Sequence, residues 1–258
     1  MNHNFFFLAG LPRSGSTLLS SILDQNPLIY AGGNSPIAQL MWDIRVSCKT
    51  KASEQLKANS RTSFEIDLMA SIPDLYYNSV TKPYILDKCR NWTLSGNMKM
   101  IKECITPNPK IIVLLRPIQE VLASFVSLKK NAGANKDELE TYTQKLLTAD
   151  SDPILKPIRG IEMAKNADPN NYLFLTYDQL IVYTSATLEL IYKFLDLNFY
   201  NHNLNNIINN HPEDDSVYKM PTMHEIRPTI SRRPIIIDLS YEIIEKCVEL
   251  NKRIGLVY

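Results

Sequence analysis

The sequence is short of the features that would point at once to several common functions. It has only four cysteines, Cys48, Cys89, Cys104 and Cys247, and they are scattered with no CxxC or metal-ligand spacing. That argues against a disulfide scaffold or a zinc site and fits reduced thiols of an intracellular protein. Charge of one sign is also lacking: 28 Lys and Arg stand against 27 Asp and Glu, a net charge of +1. No global field draws such a chain to nucleic acid or acidic membranes, although a local positive cleft is still compatible with it. Long hydrophobic runs are missing too. The opening stretch Asn4 to Gly10, NFFFLAG, is too short for a signal-peptide core or a membrane span and has no basic flank. Residue 5 is therefore expected to lie inside the fold already, and the expected location is cytoplasmic. No internal repeat and no carboxylate–histidine cluster is visible, so no metal is expected.

What is present is the composition of a globular protein with a real core, 45% hydrophobic over 258 residues. One domain spanning 1–258 is expected. Phe5 to Ala9 is a continuous apolar run of the kind seen in buried parallel strands. A helical face follows, Leu18, Leu19, Ile22 and Leu23, ended by Asn26-Pro27. Further strands are expected at Ile85-Leu86, at 110–115 and at 172–175. Helices follow at Val121 to Leu128 and Leu188 to Leu195, and an amphipathic one at Leu239 to Leu256. Strands alternating with helices predict an α/β fold: a three-layer arrangement with a mostly parallel central sheet flanked by helices. Residues 36–80 and 130–168 read as amphipathic helices and connections. Asn201 to Tyr218, with Glu213-Asp214-Asp215, reads as a solvated loop or lid.

Between the first strand and helix stands Gly10-Leu11-Pro12-Arg13-Ser14-Gly15-Ser16-Thr17. Backbone N–H groups at a helix N-terminus bind phosphate, and small residues let it approach. The nucleotide-triphosphatase loop has the form G-x-x-x-x-G-K-[ST]. Here Gly10, Gly15 and Thr17 keep its spacing, so the loop is P-loop-like, but Ser16 stands where the lysine belongs. The positive charge has moved to Arg13, suited to reach a terminal oxyanion in a bidentate way. A donor with one 5′-phosphate and a leaving group fits this better than a triphosphate. The plainer alternative is a strand-to-helix turn that merely uses Gly and Ser. Behind the 110–115 strand come Arg116 and, eight residues on, Ser124. Arg116 sits where open α/β sheets bind ligands, and two helical turns keep Ser124 near the same ligand.

The run Pro12 to Leu19 resembles the 5′-phosphosulfate loop of sulfotransferases that use 3′-phosphoadenosine 5′-phosphosulfate (PAPS). The Pro-Arg form is similar to tyrosylprotein sulfotransferases and bacterial relatives. Arg116 with Ser124 resembles that family's 3′-phosphate clamp. The resemblance implies a transferase that moves a sulfuryl group from PAPS to an acceptor hydroxyl on a carbohydrate, lipid, small molecule or peptide tyrosine, releasing 3′-phosphoadenosine 5′-phosphate (PAP). It implies nucleotide contacts from Arg13, Ser14, Gly15, Ser16, Thr17, Arg116 and Ser124. It further suggests Tyr177, after the fourth strand, and Arg227 and Arg232, from a basic segment folding over the 3′-phosphate. Tyr177 reads equally as a structural tyrosine, and the two arginines as an exposed basic turn. Lys88 resembles the lysine placed near the bridging oxygen, with a surface lysine as the alternative. The family's base does not carry over. Asn34 stands at the place of the tyrosylprotein enzymes' glutamate, and Arg90 at the place of the cytosolic enzymes' histidine. His224, Asp87 and Asp43 are the candidates, with His224 favoured because it titrates in the useful range. A P-loop small-molecule kinase and a non-catalytic PAPS- or PAP-binding module are the competing readings.

Overall fold

The computed structural model describes residues 3–148, 153–232 and 239–256. In chain order the elements are β1 (Asn4–Gly10), α1 (Ser16–Leu23), β2 (Ile29–Tyr30), α2 (Ile37–Lys49), α3 (Ser53–Ala58), α4 (Phe64–Tyr76), β3 (Tyr84–Lys88), α5 (Ser95–Cys104) and β4 (Ile111–Leu115). They continue with α6 (Ile118–Asn131), α7 (Lys136–Leu146), α8 (Leu155–Lys165), β5 (Tyr172–Thr176), α9 (Tyr177–Val182), α10 (Thr184–Leu195) and α11 (Tyr241–Ile254).

The five strands form one sheet in the order β2-β3-β1-β4-β5, and every pairing is parallel. The register sets Phe5 beside Ile85 and Leu8 beside Ile112. Side chains alternate across a strand, so a strand covered on both faces must be apolar at every position. That is why β1 and β4 lack the alternation of a half-exposed strand. Phe5, Phe7, Ala9, Ile111, Val113 and Leu115 pack into one core layer under α2, α4, α5, α6, α8 and α11. Phe6, Leu8, Ile112 and Leu114 pack into the other, under α1, α9 and α10. The expected three-layer parallel architecture is what forms. One strand went unforeseen: β2 is two residues long and pairs at the edge with Tyr84 and Ile85, too short to leave a periodic signal.

Because β1 has β3 on one side and β4 on the other, the chain reverses its winding direction there. Parallel sheets open a crevice beyond the strands' C-terminal ends at such a point. The loops after β1, β3, β4 and β5 all end at that edge. Between α10 and α11 the described residues form neither helix nor strand. This long segment nonetheless folds back on the sheet, with Ile207 only 2% exposed in the core layer under α1 and α10.

Candidate active site

The first loop is shaped by two glycines in left-handed territory. Gly10 has φ +123°, and a Cβ there would run into the Leu114 backbone of β4. Gly15 has φ +91° and caps α1. Between them Arg13 also takes a positive φ of 60°, with its carbonyl toward Arg116 at the end of β4. The Ser14 hydroxyl donates to the Leu11 carbonyl at 2.6 Å and is buried. It therefore ties the turn together, leaving only its N–H for a ligand. Ser16 and Thr17 open α1, whose first N–H groups have no intrahelical acceptor.

The two sequence motifs meet directly. Arg116, at the end of β4, donates to the Arg13 carbonyl at 2.6 Å and to Glu120 at 3.0 Å. Its guanidinium lies 4.0 Å from the centre of the Tyr177 ring. Arg13 in turn donates from Nε to the Ser124 hydroxyl at 2.9 Å and from its guanidinium to the Met223 carbonyl. The sequence reading sent Arg13 to a terminal group. In this conformation its guanidinium is engaged at the Ser124 end instead. Tyr177 is fixed as the first residue of α9 by a capping box between Thr176 and Gln179. Pro12, Arg13, Gly15, Ser16, Thr17, Arg116, Ser124 and Tyr177 line a cleft of about 1210 Å³ together with Asn34, Arg90, His224 and Arg227. Arg227 donates to Ser231. Arg232 lies outside the lining and bridges Glu120 and Asp178, each at 3.2 Å, as a strap from the C-terminal segment onto α6 and α9. Arg233 and Pro234 lie outside the described residues.

Behind this lining lies the C-terminal end of β3. Asp87 and Lys88 are neighbours, so their side chains leave the strand in opposite directions. Asp87 is buried and accepts from Trp92 Nε1 at 2.6 Å and from the Tyr77 hydroxyl at 2.8 Å. Burial pushes its carboxyl above the ordinary value, against the pull of its hydrogen bonds to Ser35, Tyr77 and Trp92. Asp87 thus braces the core and is no base. Asp43 is no better placed: it is exposed on α2 and accepts from Gln39 at 2.8 Å. Lys88 is 3% exposed, and burial draws its amine below the ordinary value while Glu213 resists.

Glu213 is the residue that sequence reasoning missed. Its carboxylate lies 3.4 Å from Lys88 Nζ, 3.6 Å from His224 Nε2 and 3.1 Å from Asn34 Nδ2. The Tyr218 hydroxyl approaches it at 3.4 Å. His224 is held from its far side: Asp215 accepts from Nδ1 at 2.6 Å and from the backbone N–H at 2.8 Å. This fixes the ring and leaves Nε2 facing Glu213. The expected solvated loop therefore tucks alternate residues inward, with Glu213 and Asp215 turned in and Asp214 out. One signal was available: an amide at residue 34 beside a buried lysine calls for a carboxylate from elsewhere.

Comparison with known proteins decides the family. The model of the sulfotransferase family matches residues 6–201. The chain belongs to the sulfotransferase family. Protein-tyrosine sulfotransferase A of Caenorhabditis elegans is 23% identical over 205 residues, which cover 75% of this chain and 50% of that protein. The chain thus spans about half the length of that curated relative. The sulfotransferase domain from the curacin biosynthetic pathway matches at a TM-score of 0.62 and 16% identity, covering 99% of this chain and 98% of that one. The sulfotransferase domain of the Synechococcus PCC 7002 olefin synthase matches at 0.58 and 18%, covering 95% and 94%. These two likenesses are of fold. In this chain the family match stops short of Glu213, Asp215 and His224, which all come from the segment after α10.

Proposed function

We propose that this sulfotransferase moves a sulfuryl group from PAPS to an acceptor hydroxyl. The observation that carries the reading is the direct junction of the two phosphate motifs: Arg116 holds the Arg13 carbonyl, and Arg13 holds Ser124. A loop for one phosphate and a clamp for a second, facing one cleft, suit a nucleotide phosphorylated at both 5′ and 3′ positions. The residues fit such a ligand. The α1 N-terminus with Gly15, Ser16 and Thr17 would take the 5′ end. Arg116, Ser124 and Arg227 would take the 3′-phosphate, and Tyr177 would lie against the nucleotide. Arg232 acts from outside by holding the covering segment closed.

Bound there, the donor supplies an activated sulfuryl group with PAP as leaving group. Cationic and N–H donors aimed at the charge that builds on the leaving oxygen lower the barrier. The first N–H groups of α1 and Lys88 would be those donors in this chain, while Arg13 stays engaged at the Ser124 end. Lys88 and His224 both lie against Glu213, so the acceptor oxygen would approach from the Asn34–Tyr218 side. The acceptor class remains any hydroxyl-bearing molecule that this opening admits.

Isothermal calorimetry with PAP, adenosine 5′-phosphate and ATP–magnesium tests the reading. Tight binding of PAP alone is the expected outcome. Preference for ATP–magnesium would replace it with a kinase. PAP binding without turnover on any acceptor would leave a binding module.

A further inference from the structure

The acceptor hydroxyl must lose a proton as its oxygen attacks sulfur. Few groups around Lys88 can take it. Asn34, fixed beside Lys88 by a parallel bridge and by the Ser35 N–H donating to the Lys88 carbonyl at 2.9 Å, carries an amide and cannot. Asp87 points the other way into the core. Among the described residues, Glu213 alone is both a carboxylate and in ion-pair reach of Lys88, at 3.4 Å.

Its seat is built for it. Gly33 lacks a side chain where a Cβ would lie 2.6 Å from Glu213 Cγ. Asn34 Nδ2 donates to Oε1 at 3.1 Å. The charged and titratable groups facing this carboxylate are Lys88 from β3, His224 and Tyr218 from its own segment, and Tyr76 from α4, with Asp215 behind His224. Burial by itself would raise the Glu213 carboxyl. Lys88, His224 and Asn34 outweigh it and hold the group below its ordinary 4.5, so it is ionised at neutral pH.

We propose that Glu213 is the catalytic base of the transfer, with Gly33 and Asn34 as the residues that position it. The proposal rests on the sulfuryl-transfer reading. The acceptor oxygen forms its bond to sulfur while the bond from sulfur to the 5′-phosphate oxygen breaks. That electron pair leaves with PAP, and the acceptor proton passes to a Glu213 carboxylate oxygen. His224, oriented by Asp215, stabilises the carboxylate and stands next in line for the proton.

The test measures PAP affinity by calorimetry and PAP release from PAPS, with tyramine and with water as acceptors, in the full chain. Glu213→Gln keeps size and the Asn34 contact but removes the basicity. Its kcat is expected to fall by roughly 100-fold or more, with PAP affinity within about threefold of wild type. Glu213→Asp should recover part of the loss. Gly33→Ala, whose new methyl crowds Glu213 without changing its chemistry, should also lower kcat and spare PAP binding. Wild-type kcat should stay level from pH 8 to pH 6, whereas a histidine base would lose activity below about 6.5. Glu213→Gln turnover within about threefold of wild type, or a wild-type profile falling through 6.5, would overturn the proposal. Failure of the wild type to bind PAP would instead remove the donor reading on which it stands.

Discussion

Asp87 and Lys88 are adjacent, ionisable and buried, and they do opposite work. The strand's alternation sends one carboxylate to Trp92 and Tyr77 and sends the ammonium to Glu213. Sequence alone left Asp87 open as a base, because nothing in DKCRNW records which face of β3 is polar. Arg116 is the reverse case: its place behind a strand fixed its surroundings in advance. It is buried, and it holds two acceptors and the Tyr177 face. Removing a charged partner of a phosphate costs about 1.5–3 kcal/mol. Arg116→Ala should therefore weaken PAP binding by roughly 10- to 100-fold in calorimetry while leaving the acceptor KM within about twofold. Equal losses in both would mean that the arginine shapes the whole cleft and does not clamp a phosphate.

At the scale of elements, the strands and the two loops after β1 and β4 were legible because each is dictated locally. A strand buried on both faces must be apolar throughout, and a phosphate loop needs small residues before a helix. The segment after α10 was not legible. Its Asn-rich sequence reads as solvated, yet tertiary contacts decide its course. The Gln25 side chain donates to the Asn203 carbonyl at 3.0 Å and accepts from its N–H at 2.8 Å. Tyr192 of α10 joins Asn26 and His202 through its hydroxyl, at 3.0 Å each. Burial pushes His202 down from 6.5 to about 4. The unfolded chain thus takes up a proton near 6.5 that the folded one refuses until about 4, so acid favours unfolding across that window. Urea midpoints should drop as pH falls from 6.5 to 4, and His202→Gln should lose stability less steeply. Identical slopes in the two proteins would assign the proton to another group.

For the whole molecule, the cleft gathers residues from both ends of the chain: Arg13 from β1's loop, Arg116 from the end of β4, and Tyr218, His224 and Arg227 from the closing segment. A ligand that occupies it should stabilise the entire fold. PAP at 100 times its Kd adds about 2.7 kcal/mol to unfolding, a rise in Tm of roughly 5–10 °C for a chain of this size. Scanning calorimetry would check this, and Arg116→Ala at the same PAP concentration should show a much smaller rise. Among the described residues no helix is long and apolar enough to cross a membrane.

The division of labour along the chain has a consequence for how such a protein can change over generations. The parts proposed to grip the nucleotide are anchored at the ends of the sheet, where any alteration disturbs the core. The carboxylate and imidazole ride on one segment that is neither helix nor strand, held by Ile207 in the core, by a few polar contacts and by Arg232. On the proposed reading, mutation can therefore rewrite that segment piecemeal, trading one acceptor chemistry for another, while inheritance keeps the donor grip intact.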